Sequence, residues 1–170
     1  MTTTVATTAD WIKRIAEDER SRDAARVRDV EGVARKADLV RQHGRRLVDE
    51  LRATMTQDVD AYRREFPGDA ARDLSVDVVG DDGGFVVRRP APGAVSLSVT
   101  PSLESALMDC RYCYTLAGGL PSREDRVSLM FAREGDDIVR LKNQATGQVF
   151  TTADALSEFL LVPVLAARRR

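Results

Sequence analysis

The sequence predicts an α+β fold: a long N-terminal helical arm, a mainly antiparallel sheet of about five to seven strands, and a C-terminal helix packed on the sheet. Three observations predict it. Residues 10–66 contain no proline and only two glycines, Gly32 and Gly44, and are dominated by Arg, Asp, Glu, Ala, Val and Leu, the composition of continuous helix. From Leu74 to Phe150 the apolar pattern has period two and is broken by short turn signals. After Thr151 the period returns to that of a helix, and helices at both ends with strands between them are incompatible with alternating parallel crossovers. Residues 1–68 read as the arm, coiled-coil-like or a helical hairpin, and residues 70–170 as the α+β domain.

The first helix is expected to begin near Ala9, because Thr7 with Asp10 three residues on resembles a capping box ahead of Trp11, Ile12 and Ile15. Glu17 to Asp23 contains no apolar residue, so the helix either breaks there or is solvated all round. Beyond it, Val30, Val33, Ala37, Val40, Gly44, Leu47 and Leu51 are spaced alternately three and four apart, the repeat of a coiled-coil seam. Met55, Val59, Tyr62 and Phe66 then follow in a shifted phase, as after a stutter. A helix over residues 24–66 would be about 65 Å long, far beyond the radius of gyration of about 13 Å expected for a domain of about 100 residues. Either the chain folds back with a break near Gly32 or Gly44, or the arm projects and buries its stripe against another copy or another protein. The second is the preferred reading.

Leu74, Val76 and Val78 alternate with polar residues, Gly80–Gly84 supplies a turn, and Phe85–Val87 returns as a hairpin ended by Pro90, Pro92 and Gly93. Val95, Leu97 and Val99 form a half-buried strand. Residues 103–117 fit a helix opened at Thr100, Pro101 and Glu104. They fit a strand better, since Ala106, Met108, Cys110, Tyr112, Tyr114 and Leu116 share one alternating face. Val127, Leu129 and Phe131, then Ile138 to Leu141, then Gln148 to Phe150 complete the sheet. Thr151 or Thr152 caps the last helix, which buries Leu156, Phe159 and Leu160 and meets Pro163. Arg168, Arg169 and Arg170 would complement the dipole of a resumed helix. The expected core comprises Val76, Val78, Phe85, Val95, Leu97, Tyr112, Tyr114, Leu129, Phe131, Ile138, Leu156 and Phe159.

Composition narrows the function classes. Lys plus Arg total 26 against 27 Asp plus Glu, which argues against coating nucleic acid or anionic lipid. Only Lys13, Lys36 and Lys142 are lysines, a skew read as GC-rich base composition and hence a bacterial source. No apolar stretch approaches the roughly 18 residues of a membrane span, and Met1–Ala9 lacks the regions of a signal peptide, so a cytoplasmic location is expected. Two cysteines in 170 residues provide no disulfide framework.

Four groups of residues invite chemical readings. Cys110-Arg111-Tyr112-Cys113 has the spacing of zinc and redox sites, but on a strand residues three apart point to opposite faces, and the only histidine, His43, lies in the arm. His43 has no nucleophile in sequence reach, and reads as a solvated or interface residue. Gly80-Asp81-Asp82-Gly83-Gly84 lacks the remaining ligands of a calcium loop and the Lys of a phosphate loop, so it reads as a turn. Arg41, Arg45, Arg46 and Arg52 are interleaved with Asp38, Asp49 and Glu50 as a solvated, ion-paired surface, and no nucleic-acid motif accompanies them.

No catalytic residue, metal or cofactor is assigned. The leading expectation is a non-enzymatic interaction protein, a scaffold, adaptor or small regulatory partner, that uses the arm through Val33, Ala37, Val40, Leu47 and Leu51 for homodimerisation or docking. The alternative is a small-ligand-binding or enzymatic domain with a cavity between sheet and C-terminal helix, walled by Cys110, Tyr112 and Tyr114.

Overall fold

The computed structural model describes residues 6–90 and 94–166, with side chains from residue 10 onward. The chain runs α1 (Ala6–Glu65), a 3-10 turn (Ala70–Arg72), β1 (Ser75–Val78), β2 (Phe85–Arg89), β3 (Val95–Ser102), β4 (Leu107–Tyr114), β5 (Arg123–Glu134), β6 (Ile138–Asn143), β7 (Val149–Phe150) and α2 (Ala153–Leu165). The seven strands lie in sequence order, each antiparallel to the next. The fold is α+β, as the segregation of periods predicts.

Helix α1 is unbroken, so neither Gly32 nor Gly44 nor the polar run Glu17–Asp23 ends it, and the helical hairpin is excluded. Both glycines and the charged run cost helix propensity, but a residue-by-residue cost of at most about 1 kcal/mol does not terminate a helix without a competing structure. It stops where proline first enters: Phe66 donates its N–H to the Arg63 carbonyl, Pro67 follows, and Gly68 takes φ +76°, a left-handed conformation that glycine adopts without strain. The helix starts at Ala6, upstream of the expected cap at Thr7, whose side chain lies outside the described residues.

Two compact units divide the chain at Ala37/Asp38 rather than at the sequence-read boundary of residues 68–70. The reason is burial within Asp38–Arg170. Leu39, Val40, Val48, Leu51, Met55 and Val59 join the inner sheet residues and Leu156, Leu160, Leu161 and Val164 of α2 in one hydrophobic cluster. The second half of α1 thus belongs to the core of the α+β domain.

The strand faces follow from pleating. Val95, Leu97, Val99 and Pro101 of β3 are buried, with Ser96 and Ser98 on the other face and only partly covered. Met108, Cys110, Tyr112 and Tyr114 of β4 are buried opposite them, paired Val95 to Tyr114, Leu97 to Tyr112 and Val99 to Cys110. The segment 100–106 is not a helix: strand continues to Ser102, a turn follows, and Ala106 at φ 53° starts the return. Its carbonyl accepts the Phe131 N–H at 2.9 Å, which holds this left-handed residue in place.

Two core expectations fail. Val78 is 60% exposed because β1 is the sheet edge and its end lies beside the Gly80–Gly84 turn. Ile138 is 48% exposed, while Val139 and Leu141 are buried. Phe131 pairs with Leu141 and Glu134 with Ile138, and because side chains alternate, this register sends Ile138 to the outer face. Val76 and Phe159 are partly buried against the cluster, the latter with its ring 4.9 Å from that of Phe150.

Thr152 caps α2, its hydroxyl accepting the Ala155 N–H at 3.1 Å, and Asp154 lies in the first turn. Pro163 sits inside the helix, which continues to Leu165. Pro92, Gly93 and Arg168–Arg170 lie outside the described residues.

Candidate functional site

The five arm residues do not form one surface. Val33 is 71% exposed and Ala37 is exposed, whereas Val40 is fully buried, Leu51 is 1% exposed and Leu47 is partly covered. Only the first two of the five are open enough to meet another molecule. In the second half of α1 the buried positions Val40, Gly44, Val48, Leu51, Met55 and Val59 repeat every eleven residues: 40 and 51, 44 and 55, 48 and 59. Eleven residues come within about 20° of three full turns of an α-helix. This repeat, rather than the heptad, places Val48 inside and leaves Leu47 only partly covered. Gly44 admits the closest approach, since a Cβ there would stand 2.6 Å from Leu103 Cδ2.

In the unit Met1–Ala37, the helix carries Trp11, Ile12, Ile15, Val27, Val30 and Val33, each between 49% and 71% exposed. Trp11, Ile12 and Ile15 cluster within about one turn, and Val27, Val30 and Val33 follow at three-residue steps. Between them runs the charged stretch from Glu17 to Arg26, where Arg26 faces Asp23 at 3.8 Å. Apolar residues exposed singly are ordinary; here six lie along one helix segment.

The proposed cavity wall is occupied. Cys110 and Tyr112 are fully buried and Tyr114 nearly so, and all three belong to the hydrophobic cluster. The Tyr112 hydroxyl donates to the Leu160 carbonyl at 2.8 Å, tying β4 to α2, a bond worth about 1 kcal/mol. The ring of Tyr112 stacks 6.3 Å from that of Tyr114. Cys113 lies on the opposite face, opposite Ser96 and Glu124, so the two thiols share no site. A crevice of about 180 Å³ does lie between α1 and the α2 end of the sheet, lined by Leu47, Leu51, Val139, Phe150 and Leu156. That is below the roughly 300 Å³ at which ligand pockets begin.

A larger groove, unmarked in the sequence beyond its Pro67-Gly68 break, occupies about 830 Å³ at the end of α1 and is lined by residues that include Asp60, Arg63, Phe66, Asp69, Arg72 and Asp73. Most of its charges are paired, and Arg64, which also lines it, donates to the Asp60 carbonyl at 3.2 Å. Arg63 bridges Asp73 at 2.7 Å and Asp60 at 3.5 Å, and Arg72 pairs with Asp69 while its guanidinium lies 4.5 Å from the Phe66 ring centre. The hydrogen bond donated by Arg72 holds the Asp69 carboxyl below its usual value, and the same bond raises Arg72. These contacts make a folded corner that secures the helix end.

His43 is partly covered on α1. The Gly80–Gly84 turn is held from the helix by Arg45, which donates to the Asp81 carbonyl at 2.8 Å while also meeting Asp49 at 3.2 Å. Among the described residues no group of three or more His, Cys, Asp and Glu side chains is placed to hold a metal ion, and no helix is long and apolar enough to cross a membrane. Comparison of the chain with protein-family models, with curated proteins and with solved structures finds no match in any of the three.

Proposed function

We propose that the protein is a protein–protein interaction module whose docking element is the first half of α1. The observation that carries this reading is the exposed apolar stripe from Trp11 to Val33. Helices are stabilised mainly by burying one face, and this segment buries none of its large apolar residues within its own unit. The α+β domain is the anchor. Its inner face is filled by its own side chains, and its exposed large apolar residues, such as Val78, Leu120, Ile138 and Val162, belong to different elements and follow no common helical stripe. The interaction set therefore narrows from the five sequence-read residues to Val33 and Ala37, joined by Ile12, Ile15, Val27 and Val30. Val40 and Leu51 support the domain instead.

The experiment replaces Val30 and Val33 together by Asp in the full chain. The Val30→Asp/Val33→Asp chain should keep the circular-dichroism spectrum and thermal midpoint of its α+β domain. It should lose self-association in sedimentation, or lose a protein that the wild-type chain retains from its native cell. A variant with unchanged mass and unchanged partner retention would show that the arm is not the docking element.

A further inference from the structure

We infer that the arm pairs with the arm of a second copy in antiparallel orientation, in the register that sets Asp23 against Arg26 of the second copy; this rests on the arm being the docking element. Extending the seam back from Val30 and Val33 at the same spacing places Ile12, Ala16, Glu19, Asp23, Arg26 and Ala37 on the same stripe. Its centre is thus charged: Asp23 and Arg26 have side chains 73% and 80% exposed. These charges decide the orientation. A parallel, in-register pair would set Glu19, Asp23 and Arg26 each against its own copy, three like-charge layers in succession, and like charges facing across a helix pair are destabilising.

An antiparallel pair stacks the two kinds of seam position against each other, and only certain offsets are allowed. When facing residue numbers sum to 49, Asp23 meets Arg26 of the second copy, and the symmetry of the pair makes this contact twice. Shifting one heptad to a sum of 42 sets Asp23 against Glu19, and the opposite shift to 56 leaves Asp23 against Val33 and Arg26 against Val30. The favoured register also sets small against large at both ends: Ala16 against Val33 and Ala37 against Ile12. Beside the centre, Arg22 faces Asp29 of the second copy. Glu19 against Val30 is the one mismatch, relieved if the glutamate lays its methylenes along the valine and keeps its carboxylate at the rim.

The length agrees independently. Position 12 pairs with position 37, so the pairing ends at Ala37, the last stripe position before burial begins at Leu39 and Val40. The whole open part of the stripe, about 39 Å of helix, is used. Ile15 and Val27, which flank the seam, are covered at its margins. A second copy therefore satisfies the charges, the small residues and the length of the seam together, with Trp11 beside its end.

The test is sedimentation equilibrium of the full chain over about 1 to 100 µM, comparing wild type, Asp23→Arg, Arg26→Asp and the double exchange Asp23→Arg/Arg26→Asp, each with helix content checked. Each single change makes two like-charge crossings and should weaken the dimer at least about tenfold. The double exchange restores opposite charges and should return the dissociation constant to within about threefold of wild type. Four equal dissociation constants would overturn the antiparallel register, because parallel pairing keeps like charges facing in all four chains. A wild-type monomer throughout the range would overturn pairing altogether. If that monomer retains a different protein that Val30→Asp/Val33→Asp loses, docking stands without self-pairing; if neither mass nor retention responds to that variant, both readings fall.

Discussion

The two halves of α1 share one backbone and an amphipathic pattern, yet only one of them buries its apolar stripe. Residues 39–59 bury Leu39, Val40, Val48, Leu51, Met55 and Val59 in the domain core, while residues 11–33 leave Trp11, Ile12, Ile15, Val27, Val30 and Val33 open. Both halves have charged faces laced with ion pairs three or four residues apart, such as Asp23–Arg26 in one and Arg46–Glu50 in the other. Pairs of this kind contribute little and do not separate the halves. What separates them is the partner available to the stripe, which for the second half is the sheet and α2. Amphipathicity describes a capacity to bury a face, and the fold determines where that capacity is spent.

The sharpest way to break this comparison is to make the same kind of truncation in both halves. Leu51→Ala, at a site 1% exposed, should destabilise the domain by about 2–5 kcal/mol through lost transfer energy and a residual cavity. Val33→Ala, at a site 71% exposed, should change monomer stability by less than about 0.5 kcal/mol. Urea unfolding at dilute concentration measures both, and equal losses would mean that the first half is as much core as the second.

The two helical glycines sharpen it further, because the same substitution should have opposite signs. At Gly32 a Cβ would meet nothing within 4 Å, so Gly32→Ala should stabilise the helix by about 0.5–1 kcal/mol through propensity alone. At Gly44 it would stand 2.6 Å from Leu103 Cδ2, and the displacement of that partly buried side chain, packed against the core, should exceed the propensity gain, for a net loss of about 1 kcal/mol. Thermal midpoints rising for one and falling for the other are the expected result; two rises would show that Leu103 yields freely.

The smallest effect lies at the end of α1, where a polar corner rather than apolar packing holds the chain. Asp69 has its carboxyl pKa lowered from 3.8, chiefly by the hydrogen bond from Arg72. A carboxyl depressed in the folded state contributes stability that is present above its unfolded value and is lost as pH falls through the folded one. Asp69→Asn should therefore flatten slightly the acid limb of the thermal midpoint below about pH 4 and leave the neutral midpoint a little lower. Superimposable acid limbs would show that Arg72 does not depend on Asp69.

Period alone made much of the fold legible. Val95, Leu97 and Val99 announce a strand because only extended chain sets alternate residues on one side, and Cys110, Tyr112 and Tyr114 are legible as one face for the same reason. Ile138 was not legible in the same way. The run Ile138-Val139-Arg140-Leu141 offers apolar residues in both phases, and the choice was made by the pairing of Phe131 with Leu141 across a turn. The polar corner of Arg63, Phe66, Asp69 and Arg72 left only a helix stop in the sequence, because its contacts arise from the path of the turn and from no repeat.

What the sequence by itself determined is therefore local: where the chain is helical, where it is extended, and which residues share a stripe. These follow from φ/ψ preferences and side-chain period, which act over a few residues. The division of α1 into a buried half and an open half, and the filling of the face that carries Cys110, Tyr112 and Tyr114, were decided by tertiary structure alone. Burial depends on whether a second apolar surface of matching shape arrives, and for residues 39–59 that surface is built from strands and a helix between 15 and about 125 residues further along the chain.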